Sequence, residues 1–341
     1  MGSDTALVTK LRGRFGKYLD PQQLVRLLEE TTLEGAFRVI REIVGEDLGD
    51  FQDVRGGEQR LEAWKRRRND ELLTFLDAKQ KQFLHSFFIE DELLELQRFL
   101  RVLQRDNRKE QLLFIQHSIY ADTLHLTADT SIRVPTYLST LKEKPYYRLL
   151  EPIVHNDAAT GPIDFDSLMV NFNRWYFHRL RKEAKDIGGK TAAVLNDLLG
   201  TMIDLRNITW IVHTKRFLRE EDPYLAMQMV SGGKILYGKT LDNAVGMDLP
   251  AFTVWLRHSP YRGLVEGGKE DYSFLPIARQ RYLYRRCRKI FRLTDDGLLA
   301  AVCFIHMLNG RIAEIRRILE AINLGWKEEQ MIQYLIEWKT E

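Results

Sequence analysis

Apolar positions in this chain recur with the period of a helix, and they do so in three separate places. Leu96, Phe99 and Leu103 follow Glu95; Leu205, Ile208 and Val212 follow Asp204; Ile315, Ile318 and Ile322 follow Glu314. In each case the apolar residues take the second, fifth and ninth positions after a leading acid, which is one stripe of an α-helix with most polar residues between. The three acids are 109 and 110 residues apart. On this pattern each acid is read as a carboxylate at a helix start, favoured there by the positive end of the dipole or by a neighbouring arginine.

Two more features keep the same order along the chain. Aromatic-arginine pairs occur at Phe37-Arg38, Tyr147-Arg148 and Tyr261-Arg262, and aromatic, basic helices are predicted at 64–68, 175–182 and 282–289. Three features in one order, spaced by about a third of the 341 residues, predict three homologous helical units at 1–114, 115–222 and 223–341. No run alternates as a half-buried strand would, so the expected fold class is all-α. Candidate breaks are Gly56-Gly57, Gly161-Pro162, Gly188-Gly189 and Gly267-Gly268. Pro135, Pro145, Pro250, Pro260 and Pro276 are expected at helix ends, where a missing N–H costs little.

Composition agrees with this and narrows the function. Charged residues make up 29% and AVILMFWYC 44%, which is globular, and the 22 glycines and 9 prolines are few enough to favour long helices. With 51 basic and 48 acidic side chains the net charge is only +3, so no global field draws the chain to nucleic acid or to an anionic membrane. Any such contact must come from local patches, and Arg66, Arg67, Arg181, Arg285 and Arg286 on the basic helices are the candidates. Cys287 and Cys303 form neither a disulfide framework nor a CxxC pair, which fits a reducing, cytosolic compartment. The opening MGSDTALVTK lacks the apolar core of a signal peptide, and Ala6 stands where a myristoylation signal has Ser or Thr. The longest apolar run, 298–308, is short of the roughly 20 residues that cross a bilayer, so membrane association is expected to be peripheral.

Candidate chemistry is sparse. The eight histidines show no ligand spacing and no G-x-S-x-G elbow is present, so no metal, cofactor or catalytic residue is assigned. Residues 233–240, GKILYGKT, satisfy the P-loop expression literally. A working P-loop needs a strand before the glycines and a helix after them, so that successive N–H groups face phosphate. Upstream here is a proline-opened helix, and Phe15-Gly16-Lys17-Tyr18-Leu19-Asp20 echoes Tyr237-Gly238-Lys239-Thr240-Leu241-Asp242 at an offset of 222, twice the repeat. The GKT therefore reads as a repeat element, with a P-loop nucleotide-binding protein and a helical polyanion-binding scaffold as the competing readings.

The whole pattern resembles the C subunit of the archaeal and bacterial V/A-type rotary ATPases, related to the d subunit of the vacuolar enzymes. The residues that carry the resemblance are Asp204-Leu-Arg-Asn-Ile-Thr-Trp-Ile-Val-His-Thr-Lys-Arg-Phe217 with Gly232-Gly233 beyond, then Ala313-Glu-Ile-Arg-Arg-Ile-Leu319, and loosely Leu33 to Ile40. The sequence departs where a tyrosine is expected near Phe37, and where Asn207 is matched by Arg98 and Arg317. The resemblance implies a non-catalytic rotor component, a funnel of three helical domains about a pseudo-threefold axis. Its narrow side would rest on the proteolipid c-ring at the cytoplasmic face of the membrane, as a peripheral component, and its open side would receive the D and F subunits of the central stalk. On that reading Arg38, Arg148 and Arg262, with the basic helices, contribute to docking, and no nucleic acid is involved.

Overall fold

The computed structural model describes residues 2–46, 48, 53–105, 107–127, 133–154, 163–218, 222–265 and 272–336. Two of the candidate breaks, Gly161-Pro162 and Gly267-Gly268, lie outside them. Among the described residues the regular elements are helices. They run α1 Gly2–Tyr18, α2 Pro21–Leu28, α3 Leu33–Val44, α4 Val54–Asp70, α5 Ala78–Gln104, α6 Arg108–His117, α7 Val134–Ser139, α8 Glu151–Val154, α9 Phe165–Ile187, α10 Gly189–His213, α11 Asp222–Gln228, α12 Gly238–Gly246, α13 Leu249–His258, α14 Leu275–Leu293, α15 Gly297–Asn323 and α16 Glu328–Ile332.

After α1, which is as long as α4, the long helices form three consecutive pairs, α4/α5, α9/α10 and α14/α15, with short helices between and after. Side-chain caps start most of the long ones: Asp53 accepts from the Gly56 N–H, Asp77 from Gln80 and Asp296 from Leu299. Between α9 and α10, Gly188 and Gly189 adopt φ of +78° and +63°, a left-handed turn that a side chain would oppose, so this predicted break is real. Gly56-Gly57 is not a break. Both glycines lie in the first turns of α4, where a Cβ on Gly57 would sit 2.6 Å from the Phe37 ring, so the missing side chain serves helix packing instead. Pro135, Pro250 and Pro276 open α7, α13 and α14 as expected.

The three pairs touch one another in a closed circuit. α5 packs on α9, α10 on α14 and α15, and α15 on α4 and on α1, so the last long helix returns to the first segments of the chain. Each junction carries polar bonds: Ser86 Oγ donates to Glu183 at 2.9 Å, Arg286 pairs with Asp197, and Arg316 pairs with Glu62 at 2.5 Å. Apolar packing divides accordingly. One cluster joins α1–α5 to α9, α10, α14 and α15; a second joins the end of α5 to α7 and α9; a third joins the end of α10 to α12, α13 and α14. Helix α15 has the length and hydropathy of a membrane span, but 78% of its most apolar stretch is buried inside the protein, where it supplies the core of the first cluster.

Candidate functional site

The three repeat acids are not helix-start carboxylates, although Glu95 and Glu314 do pair with a neighbouring arginine, Arg98 at 3.6 Å and Arg311 at 3.5 Å. Each lies inside a long helix and faces the chain that returns after it. Glu95 accepts from Ser118 Oγ at 2.5 Å; Asp204 accepts from the Ile235 and Leu236 N–H groups at 2.8 and 3.0 Å and from the Tyr261 hydroxyl at 2.6 Å; Glu314 accepts from the Ile336 N–H at 2.6 Å. α10 starts at the Gly188-Gly189 break, fifteen residues before Asp204, so the acid lies well inside the helix. Burial pushes the Asp204 carboxyl above the usual carboxylate range, against the stabilising pull of Tyr261 and the backbone N–H groups.

Asp204 also decides what the P-loop expression means. The Ile235 and Leu236 N–H groups, which in a phosphate loop would face the ligand, are already donated to this internal carboxylate. Gly233 lies against the same carboxylate, α12 begins at Gly238, and Lys239 is exposed. The chain before it is helix α11. Residues 233–240 are thus a return segment wrapped on α10, with an aspartate in the place of an anion.

Arginines fix the same return segments from the first helix of each pair. Arg66 donates to the Ile119 carbonyl at 3.3 Å, Arg174 to the Met227 carbonyl at 2.6 Å and the Met229 carbonyl at 3.0 Å, and Arg281 to the Gln333 carbonyl at 3.0 Å and the Leu335 carbonyl at 2.7 Å. Sequence reasoning singled out Arg66 but missed Arg174 and Arg281. The signal was available, since these arginines are 108 and 107 residues apart. Matching Trp64 to Trp175 instead, 111 residues apart, shifts the first copy by three residues, about one helical turn, while Trp175 and Tyr282, 107 apart, keep the register of Arg174 and Arg281. A similar slip of one affects the aromatic-arginine pairs. Tyr146 and Tyr261 are the buried aromatics that precede matching 3₁₀ turns, and their hydroxyls donate to Glu92 and Asp204 at 2.6 Å each.

The predicted docking residues separate by what they touch. Arg38 is exposed on α3, 3.4 Å from Glu30; Arg148 and Arg262 are exposed on the two 3₁₀ turns; Arg67, 3.5 Å from Glu46, and Arg285 are exposed on α4 and α14. Arg66, Arg181 and Arg286 are less exposed. Arg66 lies over the Tyr120 ring at 5.1 Å, Arg181 donates to the Gly232 carbonyl, and Arg286 pairs with Asp197. The structure therefore does not gather the eight arginines into one patch of unengaged guanidinium groups.

A wide concavity of about 940 Å³ lies between α4, α5 and α6 on one side and α14 and α15 on the other. Its lining is charged with both signs, including Glu62, Lys65, Asp91, Arg98, Lys109 and Arg316. Lys65 is only 6% exposed; burial opposes its charge, but Asp91 at 3.4 Å and Glu62 at 2.7 Å outweigh it and hold the ammonium above its ordinary range. A groove of balanced, internally paired charge suits a polar protein surface better than a small apolar ligand.

An all-helical body tied by interhelical polar bonds, with a wide charged groove, is the class these features define. Over residues 7–334 the chain matches the family model described as ATP synthase (C/AC39) subunit, and it belongs to that family, whose members are accessory rather than catalytic. It is similar to the C subunit of the A-type ATP synthase of Thermococcus gammatolerans, with 22% identity over 200 residues, 57% of this chain and 51% of that protein. The aligned region thus spans about half the length of that relative.

Proposed function

We propose that the chain is the rotor-coupling component of a V/A-type ATPase, a passive link that carries torque between the central stalk and the membrane c-ring. The family match across residues 7–334 is the observation that carries this reading. In it, the three helix pairs with their short helices are three homologous units about a pseudo-threefold axis, arranged as a funnel. Support comes from the closed circuit of pair-to-pair contacts, and from the arginine and carboxylate bonds that recur after each pair. Long, densely packed helices tied by polar bonds bend little under load, which is what a mechanical link requires.

The narrow side would rest on the proteolipid ring at the cytoplasmic membrane face, and the open side would receive the D and F subunits of the stalk. The charged groove of about 940 Å³ is the surface we assign to the stalk, because its mixed charge suits a polar helical partner. Arg38, Arg148 and Arg262, all exposed, are assigned to the ring side together with Arg67 and Arg285. Reversing Arg38, Arg148 and Arg262 to glutamate and measuring pull-down against the detergent-solubilised ring tests this. Binding should weaken, and more so at low salt; unchanged binding would take the three arginines out of the interface.

A further inference from the structure

The three helix pairs are not equally closed. α9 lies against α10 and α14 against α15, but α4 and α5 do not pack along one another. Lys65 bridges them, 2.7 Å from Glu62 on its own helix and 3.4 Å from Asp91 on α5, and α4 and α5 both line the wide charged groove. Apolar surface reaches into that groove from Leu94, 36% exposed, and from the half-buried Leu113, Phe114 and Ile119. Most of the acids around this surface are already paired: Glu62 with Lys65 and Arg316, Asp91 with Lys65, Glu95 with Arg98, and Glu110 with Arg105. Glu58 on α4 is the acid left over. It is half-buried and has no hydrogen bond or ion pair among the described residues. Burial pushes its carboxyl above the usual range, as do Glu320 and Glu62, and the pull of Arg316 and Arg55 offsets this only in part. On α6, just past the end of α5, the exposed Lys109 likewise has no partner among the described residues.

A groove with apolar surface between charged walls, inside a pair of helices that stay apart, suits a further helix better than a small molecule. Its volume sets the length. A helix with its side chains is roughly 10–12 Å across, so about 940 Å³ holds roughly two turns. The charges left over set the polarity, because a half-buried carboxylate without a partner is stabilised by an incoming cation, and an exposed ammonium is matched by an acid. We propose that the groove takes a short stretch of helix that lays apolar residues on Leu94 and Phe114, presents a lysine or arginine to Glu58, and presents an aspartate or glutamate to Lys109. The inference rests on the assignment of this groove to the central stalk, and goes beyond it in naming what part of the partner enters and which charges it carries. Docking then ties α4 to α5 through the partner, and gives the first pair the closure that the other two have from direct packing.

The purified pair of D and F stalk subunits is the probe, titrated against the full-length chain by calorimetry. Glu58→Lys should weaken binding about tenfold or more, and Lys109→Glu should weaken it as well. Glu58→Gln should lose less than Glu58→Lys, because it removes an attraction without adding a repulsion. Glu143→Lys, exposed beyond α7 and outside the groove, should bind as the wild type does. Thermal melts control folding, and Glu58→Gln should melt no lower than the wild type because the carboxylate it removes is half-buried and unpaired. A photo-crosslinking benzophenone residue in place of Leu94 locates the contact: the peptide it captures should come from a helix of the stalk that carries both a basic and an acidic residue close to the crosslink. If the stalk binds but is indifferent to Glu58 and Lys109, or the benzophenone captures nothing from it, the groove proposal is overturned while the rotor reading stands. If the wild-type chain does not bind the stalk at all, the rotor reading falls and the groove proposal with it.

Discussion

Gly233 lies so close to the Asp204 carboxylate that no side chain fits between them. The contact belongs to a buried knot in which one aspartate, 0% exposed, holds the return segment at Ile235 and Leu236 and the distant Tyr261 together. Gly233→Ala must displace either the carboxylate or the loop, so a loss of about 1–3 kcal/mol is expected in denaturant unfolding. Asp204→Ala should cost more, about 3–5 kcal/mol, since it orphans two N–H groups and a phenol. Lys239→Ala, on the exposed start of α12, should change neither stability nor any affinity for ATP. Saturable ATP binding that depends on Lys239 would restore the phosphate-loop reading.

The arginine bonds at Arg66, Arg174 and Arg281 predict graded local loosening. Arg174 and Arg281 each reach two carbonyls, while Arg66 reaches one at the longer distance of 3.3 Å. Alanine at 174 or 281 should cost about 1 kcal/mol, with less lost at 66. Hydrogen exchange should rise in 227–230 for Arg174→Ala and in 333–336 for Arg281→Ala, with the long helices unchanged. Uniform faster exchange throughout the chain would mean that these bonds do not act locally.

Much of the fold was legible because a buried helix stripe leaves a 3.6-residue period in the sequence, and the three stripes led by Glu95, Asp204 and Glu314 proved to be faces of α5, α10 and α15. What they face was not legible. A carboxylate that accepts a backbone N–H from 22 residues onward, as Glu314 does from Ile336, looks the same in sequence as one at a helix start. Register in the first copy failed for a related reason: Trp64 and Arg67 are about one turn apart, and the sequence does not show that Trp64 is buried while Arg67 is exposed. The small cavity between α5, α10, α14 and α15 had no sequence signal, because Glu90, Arg206, Arg279 and His306 come from four helices and meet only after packing.

Gly57 and Phe37 offer a test of close packing against backbone freedom. Gly57 sits in regular helix, so alanine would be favoured there by propensity, by roughly 1 kcal/mol. Its Cβ would nevertheless fall 2.6 Å from the Phe37 ring. Gly57→Ala is therefore expected to destabilise by about 1–3 kcal/mol, and Phe37→Leu in the same chain should recover part of that loss. Gly188→Ala differs in origin: nothing lies within 4 Å, and the cost of about 1 kcal/mol comes from its φ of +78°, so no partner substitution should relieve it. Thermal or denaturant unfolding of these variants distinguishes the two mechanisms.

His306 makes stability depend on pH in a direction that can be worked out. Burial draws its imidazole down from 6.5 to about 4, against the opposing pull of Glu90 and Asp91. Above pH 6.5 both the folded and unfolded chains hold it neutral, and its contribution is complete. As pH falls from 6.5 toward 4 the unfolded chain takes up a proton that the folded one refuses, and stability is lost. Asp204 acts in the opposite sense, because its raised carboxyl makes the folded state bind a proton first, so the pH profile of the wild type alone mixes the two. Comparing the wild type with His306→Gln in chloride buffer isolates the histidine. The difference in unfolding free energy between the two proteins should shift by about 2–3 kcal/mol between roughly pH 7.5 and 4.5, to the disadvantage of the wild type. A difference that stays constant over that range would mean that His306 titrates normally in the fold and that its ring is reached by water.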